Sequence, residues 1–123
     1  MSENGEVLQG VFQEKSTHIP VFFTDKTAQG ELLPHIQRAD LMLGIHADSA
    51  TEAIVDAALR SNTPFLVVPC CVFPSFFPGR VVDGAPVKTT EDLCEYLLRK
   101  DSRFQKATMP FEGRNTGIYW DGT

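Results

Sequence analysis

The sequence predicts an α/β fold: a small mixed sheet with a parallel βαβ core and a C-terminal antiparallel hairpin. Two apolar runs, 40–46 and 63–69, flank a segment whose apolar residues repeat with the period of a helix. Two further extended segments, 104–111 and 116–120, flank a polar turn. A chain of 123 residues has room for one hydrophobic core, so we expect a single domain spanning residues 1–123.

Composition and charge exclude several classes of function. Sixteen acidic residues against eleven Lys and Arg give a net charge of -5, which disfavours nucleic acid as a partner because a phosphate-binding surface needs clustered positive charge. No apolar run approaches the roughly 20 residues that span a bilayer, and the acidic start Met1–Glu6 is unlike a signal peptide. Three cysteines are too few for a disulfide framework. We therefore expect a cytoplasmic protein with no membrane partner.

The N-terminal third predicts strands and one short helix. Val7–Phe12 and Ile19–Thr24 are rich in β-branched and aromatic residues, which is typical of strands. Asp25–Gly30 is polar and ends in glycine, which favours a loop. Any helix within Glu31–Arg38 must be short, because Pro34 is tolerated only in a first helical turn.

The middle of the chain has the pattern of a βαβ unit. The apolar run Asp40–His46 is typical of a strand buried on both faces, and Thr63–Pro69 is a second buried strand. Between them, Ser49 and Glu52 have the spacing of a capping box that opens a helix. This helix buries one apolar face, formed by Ala50, Ala53, Ile54, Ala57 and Ala58. Strand, helix and strand over ~30 residues imply parallel pairing with a right-handed crossover.

The second half of the chain begins with a loop dense in aromatic and proline residues, Val72–Arg80. A turn is predicted at Asp83 and Gly84. A helix follows at about Thr90–Lys100, with its buried positions at Leu93, Tyr96 and Leu97. The antiparallel hairpin at the end of the chain would then complete the sheet.

Four short motifs lie at the ends of the predicted strands and helices: Gly44-Ile-His46, Ala50-Thr-Glu52, Pro69-Cys-Cys71 with Val72-Phe-Pro74, and Phe111-Glu-Gly-Arg-Asn115. Together they resemble the C-terminal half of a class I S-adenosylmethionine-dependent methyltransferase domain, in an uncharacterised branch of methyltransferase-like proteins. The resemblance covers residues 40–120. It implies that the two apolar strands are the fourth and fifth of a Rossmann-type sheet, and that the terminal segment supplies its antiparallel hairpin.

The same resemblance indicates what the chain lacks. Methyltransferase domains of this class bind the methyl donor with a Gly-rich turn after the first strand and an acidic residue after the second. The chain contains no Gly-x-Gly sequence, and its first forty residues cannot hold the three strand–helix units that normally precede the fourth strand. We therefore expect no cofactor to be bound independently, and S-adenosylmethionine is implied by resemblance only. The expected function is a binding or structural module; the alternative is a methyltransferase whose donor site is completed by another chain or by a missing segment.

The predicted site lies where the two parallel strands end, because ligands of open α/β sheets bind at the carboxyl ends of strands. His46 and Asp48 are the candidate catalytic residues, with His46 as a base or hydrogen-bond donor, and Ser49 is a candidate substrate-binding residue. The alternative is that Ser49 caps the helix and Asp48 favours its positive end. Three residues within four positions do not easily form a catalytic relay, which argues against a Ser-His-Asp triad.

Two adjacent cysteines, Cys70 and Cys71, follow the second strand and are expected beside His46. They are candidate substrate-binding residues, and can also be metal ligands, a redox dithiol, a nucleophile or small buried thiols. Adjacent side chains point to opposite faces of a strand, which opposes shared ligation, so we expect no metal. Cys94, on the later helix, is expected in the core.

Three further residues complete the candidate substrate-binding set: Phe73, Arg114 and Asn115. Phe73 lies with Phe76 and Phe77 in the aromatic loop, which can fold over the end of the sheet or form an apolar contact patch. Arg114 and Asn115 can bracket an anionic group or satisfy a turn.

A half sheet leaves an exposed edge at the Leu41–His46 strand, and unpaired edges are templates for another chain. We therefore expect a homodimer or a partner protein, docked through the N-terminal strands and the aromatic loop. The N-terminal segments can instead cover the edge within the same molecule.

Overall fold

The computed structural model describes residues 16–123, so the predicted strand Val7–Phe12 lies outside the described residues. A short 3₁₀ helix, Asp48–Ala50, lies between the strand Met42–Ile45 and the helix Thr51–Arg60. In the described range none of the helices is long and apolar enough to cross a membrane. The elements follow one another as α1 Asp25–Gln29, α2 Leu33–Arg38, β1 Met42–Ile45, α3 Thr51–Arg60, β2 Phe65–Val68, β3 Val81–Val82, β4 Ala85–Pro86, α4 Thr90–Leu98, β5 Gln105–Thr108 and β6 Thr116–Trp120.

The main sheet has four strands in the order β1-β2-β6-β5. β1 and β2 pair in parallel, with Met42 opposite Phe65, and β6 lies antiparallel to both β2 and β5. The predicted parallel βαβ core and C-terminal hairpin are therefore confirmed, and the fold is a small mixed α/β fold. β3 and β4 form a separate hairpin, whose predicted turn has positive φ at both Asp83 and Gly84.

One face of the sheet and the helices enclose the hydrophobic core. The side chains of Phe65, Val67 and Ile118 point into this core and are 1% exposed or less. Helix α3 packs on β1 and β2. Gly44 permits this approach, because a Cβ atom at that position would lie 2.8 Å from Cδ1 of Ile54. The sheet is thus anchored to the helices through alternate residues of each strand.

Nothing within residues 16–123 covers the opposite face of the sheet. Leu43 and Ile45 alternate with buried residues along β1 and are 59% and 50% exposed. The prediction that the first strand is buried on both faces is wrong, because within residues 16–123 these two side chains face solvent. A shallow apolar groove of about 510 Å³ runs over this face and is lined in part by Leu41, Leu43, Leu66, Met109 and Tyr119.

The N-terminal part of the described chain differs from the prediction. Ile19–Thr24 forms no strand, and Asp25–Gly30, predicted as a loop, is mostly helix α1. Thr24 starts this helix: its hydroxyl accepts a hydrogen bond from the Thr27 amide, while the Thr27 hydroxyl accepts one from the Thr24 amide. The short helix expected within Glu31–Arg38 is confirmed as α2, with proline in its first turn.

The later helix is close to the prediction. It was expected over Thr90–Lys100 and is observed as α4, two residues shorter at its end. Leu93 and Leu97 are buried as predicted, and Tyr96 is half-buried. Its first turn is stabilised by a true capping box, in which Thr89 and Asp92 exchange side-chain-to-backbone hydrogen bonds.

Candidate functional site

The predicted site residues gather at the carboxyl ends of β1 and β2. His46 directly follows β1, and its amide donates to the carbonyl oxygen of Val68 in β2 at 2.9 Å. Beyond the two strands, Sγ of Cys70 donates to Oδ1 of Asp48 at 3.1 Å. The prediction that His46 and the cysteine pair share one end of the sheet is therefore confirmed, and parallel pairing is the cause.

The backbone at this end of the sheet is strained. His46, Asp48 and Phe73 have φ values of 51°, 54° and 50°, in the left-handed region that side chains disfavour. Each such residue costs about 1–3 kcal/mol and persists only where the surrounding structure fixes it. Asn62 and Asp83 have φ values of 50° and 51° in turns elsewhere in the fold, so what marks this end of the sheet is that such residues meet there at the ends of two parallel strands.

The loop between β5 and β6 holds the imidazole of His46. Its Nε2 forms a 2.9 Å hydrogen bond with the carbonyl oxygen of Arg114. The ring of Phe111 meets the imidazole edge-on, with ring centroids 6.2 Å apart. The Asn115 side-chain amide donates to the Phe111 carbonyl at 2.9 Å, so Asn115 has the turn role. The Arg114 guanidinium is exposed and lies 3.9 Å from the Glu91 carboxylate.

The two adjacent cysteines lie side by side, with their sulfurs 3.6 Å apart. The expectation that they point to opposite faces is wrong, because β2 ends at Val68 and the alternation of a strand does not reach them. Partial burial, the Asp48 carboxylate and Cys71 raise the pKa of the Cys70 thiol to about 12. In the metal-free chain Cys70 is therefore a hydrogen-bond donor rather than an activated nucleophile. Cys94 is buried in the core, as predicted.

Ser49 does not cap helix α3. It is exposed within the 3₁₀ helix, and the residue that precedes α3, Ala50, makes no side-chain capping bond. The predicted capping box between Ser49 and Glu52 is therefore wrong. Thr51 supports the local backbone instead, because its hydroxyl donates to the carbonyl oxygen of Asp48 at 3.0 Å.

A cleft of about 670 Å³ opens beside Asp48, between the N-terminal segment, the start of α3 and the aromatic loop. Phe77 of the loop lines this cleft, whereas Phe76 is 73% exposed. Phe73 is half-buried, and its ring lies 5.9 Å from that of Phe76. The loop thus forms one wall of the cleft through Phe77, and it presents the side chain of Phe76 to solvent.

Sequence reasoning missed a charged network beneath this loop. Arg80 is 6% exposed, and its Nε donates to Oε1 of Glu52 at 2.7 Å. The Arg80 guanidinium also lies 3.6 Å from the centre of the Phe77 ring. Oε2 of Glu52 accepts from the Tyr96 hydroxyl at 2.8 Å and from Nζ of Lys100 at 2.7 Å. The signal in the sequence is weak: a lone arginine at the end of an apolar loop.

This network stabilises the ionised form of Glu52. Burial raises the pKa of its carboxyl, but hydrogen bonds from Lys100, Tyr96 and Arg80 outweigh that effect and hold the pKa below its ordinary value. Burial likewise lowers the pKa of Lys100, but Glu52 and Asp56 raise it above its ordinary value. Both shifts favour the ion pair at neutral pH, so the network fastens the loop to α3 and α4 rather than transferring protons.

The fold and the site define a small mixed α/β domain in which strained residues meet at the ends of two parallel strands. Comparison of the chain with protein-family models, with curated proteins and with solved structures finds no significant match. Its function is therefore argued from the site and from the edges of the sheet.

Proposed function

We propose that this chain is a methyltransferase-like binding module that self-associates through the open edge of β1 and binds no methyl donor on its own. One observation carries the proposal: β1 is a terminal strand of the sheet, and its exposed side chains, Leu43 and Ile45, are apolar. An unpaired strand edge is a template for another strand unless charges, proline or a covering segment protect it.

The free backbone groups of this edge belong to alternate residues. The amides of Met42 and His46 donate to carbonyl oxygens on the β2 side, both at 2.9 Å. Successive peptide groups of a strand point in opposite directions, so the N–H and C=O groups of Leu43 and Ile45 point away from β2. Within residues 16–123 no strand pairs with these groups, which makes them available to a partner strand.

A second copy of the same strand fits this edge. An antiparallel pairing about a twofold axis at Leu43 places Leu41 opposite Ile45 and Leu43 opposite itself. In this register the outward backbone groups of the two copies pair, and the exposed apolar side chains share one face.

The described residues do not fit the donor that the resemblance implies. Residues 16–41, which precede β1, form α1 and α2 and no strand. A Rossmann-type site needs a strand that leads through a Gly-rich turn into a helix. Gly44 in β1 does not offer a ligand close approach, because the space beside it is filled by Ile54 and Val67. These observations support a module without independent donor binding.

Two measurements on the full chain test the proposal. Light scattering at ~50 µM is expected to give about twice the chain mass of 13.6 kDa. Isothermal titration with S-adenosylmethionine is expected to give no dissociation constant below ~10 µM, about -7 kcal/mol. A clean monomer mass would overturn self-association, and donor binding tighter than ~10 µM would overturn the absence of independent binding.

One observation favours the alternative, a methyltransferase whose donor site is completed by another chain. His46, Asp48 and the adjacent cleft lie at the carboxyl ends of parallel strands, where ligands of open α/β sheets bind. In this alternative His46 is the base or hydrogen-bond donor. When the completing chain is a second copy of this one, the titration above separates the two functions, because the self-associated enzyme would bind the donor and the module would not.

A further inference from the structure

Three side chains beyond the ends of β1 and β2 lie within metal-ligand reach of one another. One carboxylate oxygen of Asp48 and the sulfurs of Cys70 and Cys71 all lie within 4.8 Å of each other. Cys70 links the other two, because its Sγ lies 3.1 Å from Oδ1 of Asp48 and 3.6 Å from Sγ of Cys71.

These separations approach those of a tetrahedral zinc centre. Zinc–sulfur bonds of about 2.3 Å at tetrahedral angles set two sulfurs about 3.8 Å apart, and a zinc–oxygen bond of about 2.0 Å sets the oxygen about 3.5 Å from a sulfur. The distances from Sγ of Cys70 to Asp48 and to Cys71 differ from these values by less than about half an ångström, and the third separation is within 4.8 Å. Small side-chain movements would therefore bring all three atoms onto one ion.

Buried hydroxyl groups hold the backbone that carries these ligands. The Thr90 hydroxyl donates to the carbonyl oxygen of Cys70 at 3.1 Å, and the Thr51 hydroxyl donates to that of Asp48 at 3.0 Å. Both threonines are buried. Since the ligand backbone is fixed without an ion, binding one would cost little ordering of the chain.

The donor set selects a thiophilic cation. Mg²⁺ and Ca²⁺ prefer ligands that are all oxygen, whereas Zn²⁺ binds thiolate and carboxylate together. Three protein ligands leave a fourth position, and Asp48, which is exposed, also lines the cleft. Zinc sites with three protein ligands and one open position are characteristic of catalytic rather than closed structural centres.

We propose that Asp48, Cys70 and Cys71 bind one zinc ion, with water or a ligand of the cleft in the fourth position. Binding forms two zinc–sulfur bonds and one zinc–oxygen bond, and the two thiol protons pass to solvent without any change of oxidation state. The zinc ligands lie outside the β1 edge, so the test of zinc binding does not depend on whether the chain self-associates.

Competitive titration of the full chain with Zn²⁺ against a chromophoric chelator, under a thiol-free reductant, tests the proposal. We expect one ion per chain with a dissociation constant below about 1 µM. Co²⁺ in place of Zn²⁺ should give a thiolate-to-cobalt charge-transfer band and the intense visible bands of tetrahedral coordination. Cys71→Ser and Asp48→Asn should each weaken Zn²⁺ at least tenfold, and Cys71→Ser should also reduce the charge-transfer band.

Matched controls are available on the same chain. Cys94→Ala removes a thiol that lies in the core, and Ser49→Ala removes an exposed hydroxyl beside Asp48; both should bind Zn²⁺ like the native chain. Circular dichroism of each variant establishes that it is folded. A native dissociation constant above about 1 µM, or unchanged affinity in Cys71→Ser or Asp48→Asn, would overturn the site.

Discussion

The two edges of the main sheet differ in the side chains that they present to solvent. On β5 the exposed residues are Gln105, Lys106 and Thr108, all of them polar. On β1 the exposed residues are Leu43 and Ile45. Both strands are four residues long and belong to the same sheet, so length does not distinguish them.

Between these two edges, the difference favours β1 for the strand pairing that we propose. A lysine on an edge strand must lose hydration when a second strand approaches, which discourages pairing. For apolar side chains the same approach is favourable in free energy, because burial removes their surface from water. The self-association that we propose would therefore place β1 at the interface and leave β5 outside it.

The largest effect is expected from a charge at the proposed twofold axis. Leu43→Lys should raise the dimer dissociation constant at least a hundredfold, about 2.7 kcal/mol, because two leucines lose burial and two ammonium groups meet. Sedimentation equilibrium over a concentration series measures this. The matched control is Gln105→Lys on β5, which should leave the constant unchanged; equal effects of the two variants would remove the distinction between the edges.

The next effect concerns the charged network in which Glu52 of α3 contacts Arg80 of the aromatic loop and Tyr96 of α4. Glu52→Gln should lower the free energy of unfolding by about 2 kcal/mol, because Arg80 is buried and loses its charged partner. The control is Glu95→Gln, whose pair with Arg99 is exposed and should contribute less than about 0.5 kcal/mol. Urea unfolding compares them, and similar losses in both variants would contradict the role of burial.

Acid should abolish the same contribution. Since the folded pKa of Glu52 lies below its ordinary value of 4.5, its stabilisation is present above that value and is lost as pH falls through the folded pKa. The difference in unfolding free energy between the native chain and Glu52→Gln should therefore shrink as the pH is lowered from 7 towards 3. A difference that is independent of pH would show that the ion pair is not its source.

A smaller effect is expected at the inner face of β1. Gly44→Val should cost about 1–2 kcal/mol of unfolding free energy, because its Cβ would lie 2.8 Å from Ile54 and 3.2 Å from Val67. Gly79→Ala is the control, since no other atom lies within 4 Å of a Cβ built there. If thermal unfolding shows no loss in Gly44→Val, α3 does not anchor the edge as described.

The smallest effect on stability is expected from removing the charge of the other edge. Lys106→Val should change the free energy of unfolding by less than about 0.5 kcal/mol, since Lys106 is exposed. It should nevertheless let β5 pair, so that light scattering finds masses above the dimer as concentration rises. An unaltered mass distribution would show that this lysine does not protect the edge.

The core topology could be predicted because its causes are local. Apolar residues at helical spacing between two apolar runs identify a βαβ unit, and parallel pairing follows from it. The exposure of Leu43 could not be predicted, because a continuous apolar run is the same whether one face or two are covered. The strand assigned to Ile19–Thr24 failed for a similar reason: a strand needs a partner, and in residues 16–123 that segment pairs with none.

The location of the site could be predicted, but the directions and contacts of its side chains could not. Parallel strands bring His46 and Cys70 to one end of the sheet, which needs only the topology. The direction of Cys71 depends on where β2 ends, and strand boundaries are not encoded to the residue. The contact between Glu52 and Arg80 joins positions 28 apart through the packing of a loop, which no spacing rule describes.

The alternating backbone of β1 has a consequence for hydrogen exchange. The amides of Met42 and His46 are bonded towards β2, so deuterium should enter them only when the domain opens. The amides of Leu43 and Ile45 point away from β2, so in the proposed dimer they are protected while the second strand is present. Neighbouring amides of β1 would then report two different events: opening of the domain at 42 and 46, and dissociation of the dimer at 43 and 45. Dilution should therefore speed deuterium labelling at 43 and 45 and leave it unchanged at 42 and 46.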